Sequence, residues 1–238
     1  MPDGIYAAGA GMAAQQSRMD YLSNDIANVN TNGYKSQRVA FHDLVYSAEQ
    51  GVPIGAGSAA TSLGPTLDQG AIQQTDNPLS LALTGPGYFQ VKRADGAVAL
   101  TRDGTFALDA NGSIVTAAGE QLVPPVKVPK GAQPSDISIS PEGAVTVAGK
   151  AIGKIDIVDV PSSTGLQPVG DNLFLATAAS GKAVPTKTQL QQGATEASDV
   201  DLGQTMADMI DAQRSYELAS KAIKNQDELL DIANQIVR

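Results

Sequence analysis

The sequence lacks residue types on which several common functions depend. It contains no cysteine and a single histidine among its 238 residues. These absences exclude disulfide bonds, thiolate catalysis and zinc sites of the ordinary kind. The lone histidine, His42, lies near the end of a polar stretch, where histidine is most often a surface residue. We therefore expect no catalytic residues, no cofactor and no metal, and a protein that is not an enzyme.

Positive charge and long apolar runs are also scarce. The chain has 16 basic against 25 acidic residues, and the basic ones are scattered. A nucleic-acid binder shows a basic patch, so we expect no nucleic-acid partner. No apolar run approaches the roughly 20 residues that a membrane helix needs, so we expect no membrane insertion. The opening MPDGIYAAGAGMAAQQ lacks the basic and leucine-rich regions of a cleavable secretory signal.

A heptad pattern is present at the N-terminal end. Apolar residues recur every seven positions, and a second set follows three positions after the first. The predicted seam residues are Ile5, Met12, Met19, Leu22, Ile26 and Val29. Gln15 is the one polar residue at these spacings. We predict a long helix that ends in the asparagine-rich stretch SNDIANVNTNGYK.

The C-terminal segment repeats the pattern. Its large seam residues are Leu202, Met209, Tyr216, Ile223, Leu230 and Val237. Smaller residues such as Ala212 and Ala219 follow three positions later, which permits close approach of a second helix. Isolated helices drift off a strict seven-residue repeat, whereas supercoiled helices keep it aligned. The two terminal helices are therefore predicted to pair with each other, with neighbouring copies, or with both.

The middle of the chain is predicted to be β. Asp95-Gly96, Asp103-Gly104 and Asn111-Gly112 recur at regular intervals and are strong tight-turn signals. Short β-type runs between them predict an antiparallel meander. The predicted fold class is α+β, in which long N- and C-terminal helices form a coiled-coil domain and a central all-β domain is inserted between them. The predicted divisions are a helix with its asparagine-rich turn, an extended bridging segment, the β domain and the C-terminal helix, at 1–35, 36–75, 76–190 and 191–238.

One stretch of the β region allows a different class of function. Asp109, Asn111, Ser113 and Glu120 match ligand positions of a calcium-binding loop, but Ile114 occupies the position that needs glycine. A hairpin turn at Asn111-Gly112 accounts for the same residues without a metal. A soluble calcium- or glycan-binding module is therefore kept as the less favoured alternative.

The asparagine-rich stretch closely resembles the N-terminal signature of bacterial flagellar rod and hook proteins. The residues that carry the resemblance are Asn24, Ile26, Ala27, Asn28, Asn30, Thr31, Gly33, Tyr34 and Lys35. The run EASDVDLGQTMADMIDAQRSYELASKAI resembles the C-terminal signature of the same family, and TGPGYFQV with TRDGTFALDANGSIVTAAG resembles its β domain. Asparagine tolerates left-handed backbone and can end a helix, so a cluster before Gly33 suits a sharp exit from the helix.

The resemblance implies a structural subunit of the flagellar basal-body rod. Many copies would form a helical tube that acts as a drive shaft and transmits torque to the hook. The terminal helices would form an inner coiled-coil layer of the D0 type, with the β domain outside and residues 36–75 bridging neighbours. The implied partners are further copies of the chain, other rod and hook proteins, the surrounding bushing rings and the flagellar export apparatus.

The resemblance also implies a location and a position in the rod. Export through the type III apparatus, without a cleavable signal, would place the chain in the basal-body rod that spans the periplasm or cell wall. The terminal helices would be largely disordered before assembly, because an isolated helix rich in Gly, Ala and Asn is marginal. QRSYELASKAI at 213–223 and QQTDN at 73–77 favour the distal rod protein, while the short connector at 43–75 leaves the proximal β-bearing rod protein open.

Overall fold

A computed structural model of the chain describes residues 3–44, 47–49, 52–55, 57–129 and 132–236. The chain divides into two compact units. The helical unit comprises Met1–Ala27, Gln37–Leu63 and Asp201–Arg238, and the β unit comprises Asn28–Ser36 and Gly64–Val200. The two ends of the sequence therefore belong to the same unit.

Two long helices form most of the helical unit. Helix α1 runs over Asp3–Ala27, helix α2 runs over Leu202–Ile236, and the two contact each other. The Asp201 carboxylate accepts the backbone N–H groups of Gly203 and Gln204 at 2.9 and 3.1 Å, so it satisfies amides that have no partner inside the helix.

Helix α1 ends earlier than the heptad pattern predicts. The Thr31 N–H bonds to the Asn28 carbonyl at 3.0 Å, which tightens the chain into a turn directly after Ala27. The predicted seam residue Val29 therefore lies in this turn and not on the helix.

Short strands complete the helical unit. Strand β1 (Gln37–Asp43) pairs with β4 (Ser58–Pro65), and β2 (Ser47–Glu49) pairs with β3 (Val52–Ile54). The chain before β4 passes close to α1 at Gly57, whose φ is +96°. A Cβ atom at Gly57 would lie 2.8 Å from the Cβ of Ala10. The small residues near the start of α1 therefore leave room for this crossing.

The strands of the β unit are short. Their bounds are β5 Ile72–Gln74, β6 Leu81–Thr84, β7 Tyr88–Lys92, β8 Val98–Thr101, β9 Phe106–Leu108, β10 Ile114–Thr116, β11 Gln121–Val123, β12 Ile137–Ile139, β13 Ala144–Val147, β14 Lys150–Lys154, β15 Ile157–Asp159, β16 Gln167–Gly170, β17 Leu173–Leu175, β18 Val184–Pro185, β19 Gln189–Gln192 and β20 Ala194–Glu196. Short 3-10 helices lie at Pro134–Asp136 and Ser163–Gly165.

The largest sheet contains strands from both halves of the β unit. Its order is β16-β17-β8-β7-β11-β10-β9, and β15 bonds to both β7 and β18. Strands β12, β13 and β14 form a second sheet, while β19 pairs with β6 and β20 pairs with β5. Strand β20 ends at Glu196, a few residues before α2 begins at Leu202. Its pairing with β5 therefore fixes the chain in the β unit until shortly before that helix.

The predicted meander is wrong in its strand order. Strand β11 returns to pair with β7, so the consecutive strands β8 and β9 are not neighbours. The Gly104 carbonyl, between those two strands, accepts the Leu81 N–H at 3.0 Å and so binds the chain beside β6. The turn signal at Asp103-Gly104 therefore marks a crossing between parts of the sheet and not a hairpin.

The β unit encloses an apolar core of its own. The buried rings of Phe89 and Phe106 meet edge to face with their centroids 5.2 Å apart. Other buried members of the same cluster are Leu81, Leu83, Val91, Ile114, Leu122, Ile137, Val145 and Ile155. Apart from Ile155, which lies between β14 and β15, these residues come from the largest sheet, the three-stranded sheet and strand β6, so one core holds the three together.

Candidate functional site

The predicted seam of α2 lies on the less exposed side of that helix. Thr205 and Ala212 are buried, and Met209, Tyr216 and Ile223 are half-buried. Leu202, at the start of the helix, is 40% exposed. The side chain of Leu230 and the whole of Val237 lie outside the described residues.

The predicted seam of α1 is likewise partly covered. Four of its residues are half-buried: Met12, Met19, Leu22 and Ile26. Ala14, which was not predicted as a seam residue, is buried, and the side chain of Ile5 lies outside the described residues. Gln15 has a buried side-chain oxygen that has no hydrogen-bond partner among the described residues.

A polar contact between the helices was not predicted. The Arg18 guanidinium of α1 lies 2.9 Å from the Asp208 carboxylate of α2. Both side chains are partly exposed, and such pairs usually contribute less than about 1 kcal/mol to stability. The ion pair does show which parts of the two helices lie side by side, because Arg18 is in the second half of α1 and Asp208 is near the start of α2.

The opposite face of α2 carries several large apolar side chains that remain exposed. We call these side chains the outer stripe, which consists of Met206, Ile210, Leu218, Leu229 and Ile232, between 48% and 67% exposed. With 3.6 residues per turn, these five positions fall on one side of the helix, away from Thr205 and Ala212. Exposed polar residues lie between them on the same side, namely Arg214, Lys221, Asn225 and Glu228, so the outer stripe is an interrupted row of apolar side chains.

The asparagine-rich turn is built by local hydrogen bonds. Asn24 and Ala27 are in the last turns of α1, and Asn28 to Asn30 follow directly. The Thr31 hydroxyl donates to the Asn28 side-chain oxygen at 3.1 Å. The carbonyl of Asn32 accepts the side-chain amide of Asn172 at 2.9 Å. The turn is thus fastened to the hairpin between β16 and β17 of the β unit.

Gly33 occupies a position that no other residue fits. Its φ is +66°, and a Cβ atom there would lie 2.5 Å from the backbone nitrogen of Asp103. The backbone cannot move away cheaply, so both the conformation and the close approach require glycine. This explains the glycine of the motif physically.

Lys35, the last motif residue, is fully buried. Its Nζ donates to the Asp68 carbonyl and to Oε1 of Glu196, each at 2.5 Å. The same Glu196 oxygen accepts the Gly70 N–H at 3.0 Å. Lys35 and Glu196 are 2% and 1% exposed. A buried pair of this kind costs stability heavily when only one partner is removed.

A second cation joins the buried pair. Arg102 Nη1 lies 3.6 Å from Oε2 of Glu196, and Arg102 Nη2 donates to the Gly85 carbonyl at 2.9 Å. The guanidinium also lies 5.8 Å from the centroid of the Tyr88 ring. Burial is the main reason that the pKa of the Tyr88 hydroxyl is raised above its ordinary value. We call Lys35, Arg102 and Glu196 the charge cluster.

Of the charge cluster, the sequence singled out only Lys35. Arg102 and Glu196 lie in runs that resemble the family, but neither was chosen as a site residue. Charged residues are expected at the surface, and nothing local to Arg102 or Glu196 predicts burial. The three residues are far apart in the sequence, so only the fold brings them together.

The candidate calcium loop has a structural explanation. One oxygen of the Asp109 carboxylate accepts the N–H groups of Asn111 and Ser113 at 2.8 and 2.7 Å. These bonds, the one from Ser113 first, lower the pKa of Asp109. Glu120 is hydrogen-bonded to Thr116 across the next turn, and burial raises its pKa. In the described part of the chain, no group of three or more acidic, histidine or cysteine side chains could hold a metal ion.

Neither α1 nor α2, as far as each is described, is long and apolar enough to cross a membrane.

Three family models match the chain in successive segments. Residues 5–35 match "Flagella basal body rod protein", residues 82–147 match "Flagellar hook protein FlgE/F/G D1 domain", and residues 191–236 match "Flagellar basal body rod FlgEFG protein C-terminal". Lys35, Arg102 and Glu196 each lie in a different matched segment. The charge cluster is therefore the place where all three segments meet.

Similarity to individual proteins extends over nearly the whole chain. The flagellar basal-body rod protein FlgG of Caulobacter vibrioides is 38% identical, over 96% of this chain and 97% of that protein. FlgG of Agrobacterium fabrum is 37% identical, over 96% and 97%. The rod protein FlgF of Caulobacter vibrioides is 29% identical, over 96% and 95%. These matches confirm the resemblance carried by the asparagine-rich stretch: the chain belongs to the flagellar basal-body rod protein family and is a structural subunit of the rod.

Proposed function

We propose that copies of this chain polymerise through their terminal helices into the distal part of the rod, a helical tube that transmits torque to the hook. The observation that carries the proposal is the outer stripe of α2. Several large apolar side chains that stay exposed along one side of a long helix suit a contact with another protein, even where polar residues interrupt the row. A contact of this kind that repeats from copy to copy without closing produces a filament.

The dimensions of the outer stripe favour a helix of a second copy as its partner. At 1.5 Å per residue, the stripe from Met206 to Ile232 is about 39 Å long and α1 is about 37 Å long. A partner that covers such a stripe must itself be long and straight, and each copy carries two helices of that kind. In this proposal the heptad seams pair α1 with α2 as a coiled coil, and the outer stripe joins one pair to the next.

The assignment to the distal rod rests on relatives from one organism. In Caulobacter vibrioides, FlgG is 38% and FlgF is 29% identical to this chain, at similar coverage. This difference favours the FlgG type, the distal rod protein, over the proximal alternative that the short connector left open.

Family membership indicates the location of the chain and the kind of proteins with which it assembles. The chain is part of the flagellar basal body, and it assembles with other rod and hook proteins. We further propose that it reaches the rod through the flagellar type III export apparatus and that it passes within the surrounding bushing rings.

The outer stripe is tested in cells that depend on this chain for their rod. Leu218→Asp places a charge at its exposed centre, where association would have to bury it without a partner. We expect the variant to be exported but to build no rods, so that electron micrographs of isolated basal bodies lack them and the cells do not swim.

Ser215→Asp is the matched control, because it adds the same charge at an exposed position of the same helix outside the stripe. It should leave rods and swimming intact. Normal rods in both Leu218→Asp and Ile210→Asp cells would show that the outer stripe is not a subunit contact.

A further inference from the structure

Two segments that are distant in the sequence run side by side in the β unit. The Gly33 N–H donates to the Glu196 carbonyl at 2.7 Å, and the Asp199 N–H donates to the Tyr34 carbonyl at 3.4 Å. The Ser36 N–H donates to the Asp199 carboxylate at 2.8 Å. We call residues 33–36 and 196–199 together the clasp.

The charge cluster joins the two segments of the clasp to each other and to Arg102. Lys35 comes from one of its segments and Glu196 from the other, so their ion pair joins the two directly. The Ala197 N–H also bonds to the Ala71 carbonyl at 2.8 Å. Glu196 is the one anion of the charge cluster, so removal of its charge would leave Lys35 and Arg102 buried without an anionic partner, which is the costliest way to disturb such a group.

Each helix is attached to the clasp by a short piece of chain. Helix α1 ends at Ala27, shortly before Gly33, and α2 begins at Leu202, shortly after Asp199. Between the two helices lie roughly 170 residues, and closing a free loop of that length costs considerable entropy. The clasp holds residues 33–36 and 196–199 side by side before the helices pair. The pairing of α1 with α2 in one chain therefore does not have to overcome the entropy of closing the whole loop.

We propose that the clasp determines which α1 pairs with which α2, and that Lys35 and Glu196 are its specificity-determining residues. Short tethers raise the effective concentration of two linked partners to about the millimolar range, which favours pairing within one chain. Without the tethers, the same seams would pair equally well between copies, as in domain swapping. The proposal concerns the single chain and holds whether or not the chain polymerises through the outer stripe.

The cysteine-free sequence makes the proposal testable by cross-linking. Arg18→Cys with Asp208→Cys puts one thiol on each helix at a pair of partly exposed side chains that are in contact. The full-length protein is treated with a short bis-maleimide at several protein concentrations and separated on denaturing gels. A link within one chain gives a compact monomer, and a link between chains gives a covalent dimer.

In the double-cysteine chain with an intact clasp, we expect linked monomer at every concentration tested. With Glu196→Gln added, we expect the dimer-to-monomer ratio to rise on the order of tenfold and to increase with concentration, because the tether advantage is lost. Arg93→Gln is the control. It breaks the exposed Arg93–Asp95 pair of the same unit and should leave the ratio unchanged.

A second variant distinguishes loss of the ion pair from a general loss of folding. Lys35→Met with Glu196→Gln removes the ammonium group that Glu196→Gln alone leaves buried and unpaired, and the amide oxygen that replaces the carboxylate can still accept from Arg102. The backbone hydrogen bonds of the clasp are retained, so the linked monomer should return. Hydrogen exchange at Gly33 and Ala197 reports whether the clasp is open. Unchanged linked monomer in Glu196→Gln would overturn the proposal. If the Gly33 and Ala197 amides exchange fast in that variant, the clasp is open and yet does not select the pairing. If they remain protected, the ion pair is not what holds the clasp closed.

Discussion

The β unit and the helical unit bury their apolar side chains to very different degrees. In the β unit, Phe89, Val91 and Leu122 have no exposed surface. In the described parts of α1 and α2, the fully buried apolar residues are two alanines, Ala14 and Ala212. The large residues of the outer stripe remain about half exposed or more.

This contrast agrees with our proposal that the β unit is complete within one chain, whereas the helical unit completes its burial by contact with other copies. Burial of apolar surface is the main favourable term in folding, and the β unit gains it within one chain. The paired helices gain little of it until further surface is covered. We therefore expect substitutions in the β unit to change the stability of the single chain, and substitutions in the helices to change assembly.

The largest effect is expected from the core of the β unit. Leu122→Ala removes a fully buried side chain from the centre of the main sheet and should lower the free energy of unfolding by about 2–5 kcal/mol. Chemical denaturation of the purified chain measures the loss. A loss below about 0.5 kcal/mol would mean that the core at Leu122 is not closely packed.

Gly33→Ala is expected to have the next largest effect. The added methyl group would overlap the backbone at Asp103, and the positive φ adds strain of about 1–3 kcal/mol. Gly96→Ala is the matched control, since Gly96 also has a positive φ but a Cβ there would meet nothing within 4 Å. Equal losses from the two substitutions would show that the close approach of Gly33 to the backbone of Asp103 contributes nothing.

On the helical side, Ile223→Asp should hardly change the melting of the β unit. Ile223 is a half-buried seam residue of α2, and its replacement leaves the β core intact. We expect a change of less than about 0.5 kcal/mol in β-unit stability, together with loss of rod assembly and of swimming. Asp227→Ala, at an exposed position one turn later, should be much milder in cells. Normal rods in Ile223→Asp cells would contradict the proposal that rod assembly needs the pairing of α1 with α2 along the seam.

The smallest effect is expected at the Asp109 turn and depends on pH. Its pKa is lowered from its ordinary value in the folded chain by bonds from backbone N–H groups, that of Ser113 first, so the ionised form stabilises the fold. That contribution is complete above the unfolded pKa and is lost as pH falls through the lower folded pKa. The difference in Tm between the chain and Asp109→Asn should therefore be constant from about pH 7 to about pH 4 and shrink below it. A difference that persists at about pH 2 would assign the effect to shape and not to charge.

The sequence predicted the elements better than their arrangement. Heptads at both ends gave the two helices, and the Asn111-Gly112 turn gave the hairpin of β9 and β10. The order of the sheet was missed because β11 pairs with β7 across an intervening stretch of chain, and such a pairing leaves no local pattern.

The charge cluster was beyond sequence reasoning for a related reason. Arg102 and Glu196 are buried by contacts with residues far along the chain, whereas their charge alone predicts exposure. Lys35 was found through the motif, without any physical reason for its burial. Its ion pair with Glu196 supplies that reason.

Hydrogen exchange of the full-length chain, as a verified monomer and after assembly, tests the difference between the units most directly. We predict slow exchange in β7, β8 and β11 in both states. We predict fast exchange over residues 5–29 and across α2 in the monomer, which becomes slow only after assembly, because the paired helices open readily until the outer stripe is covered. Strong protection of both helices in the verified monomer would show that the helical unit is stable alone and would contradict the account.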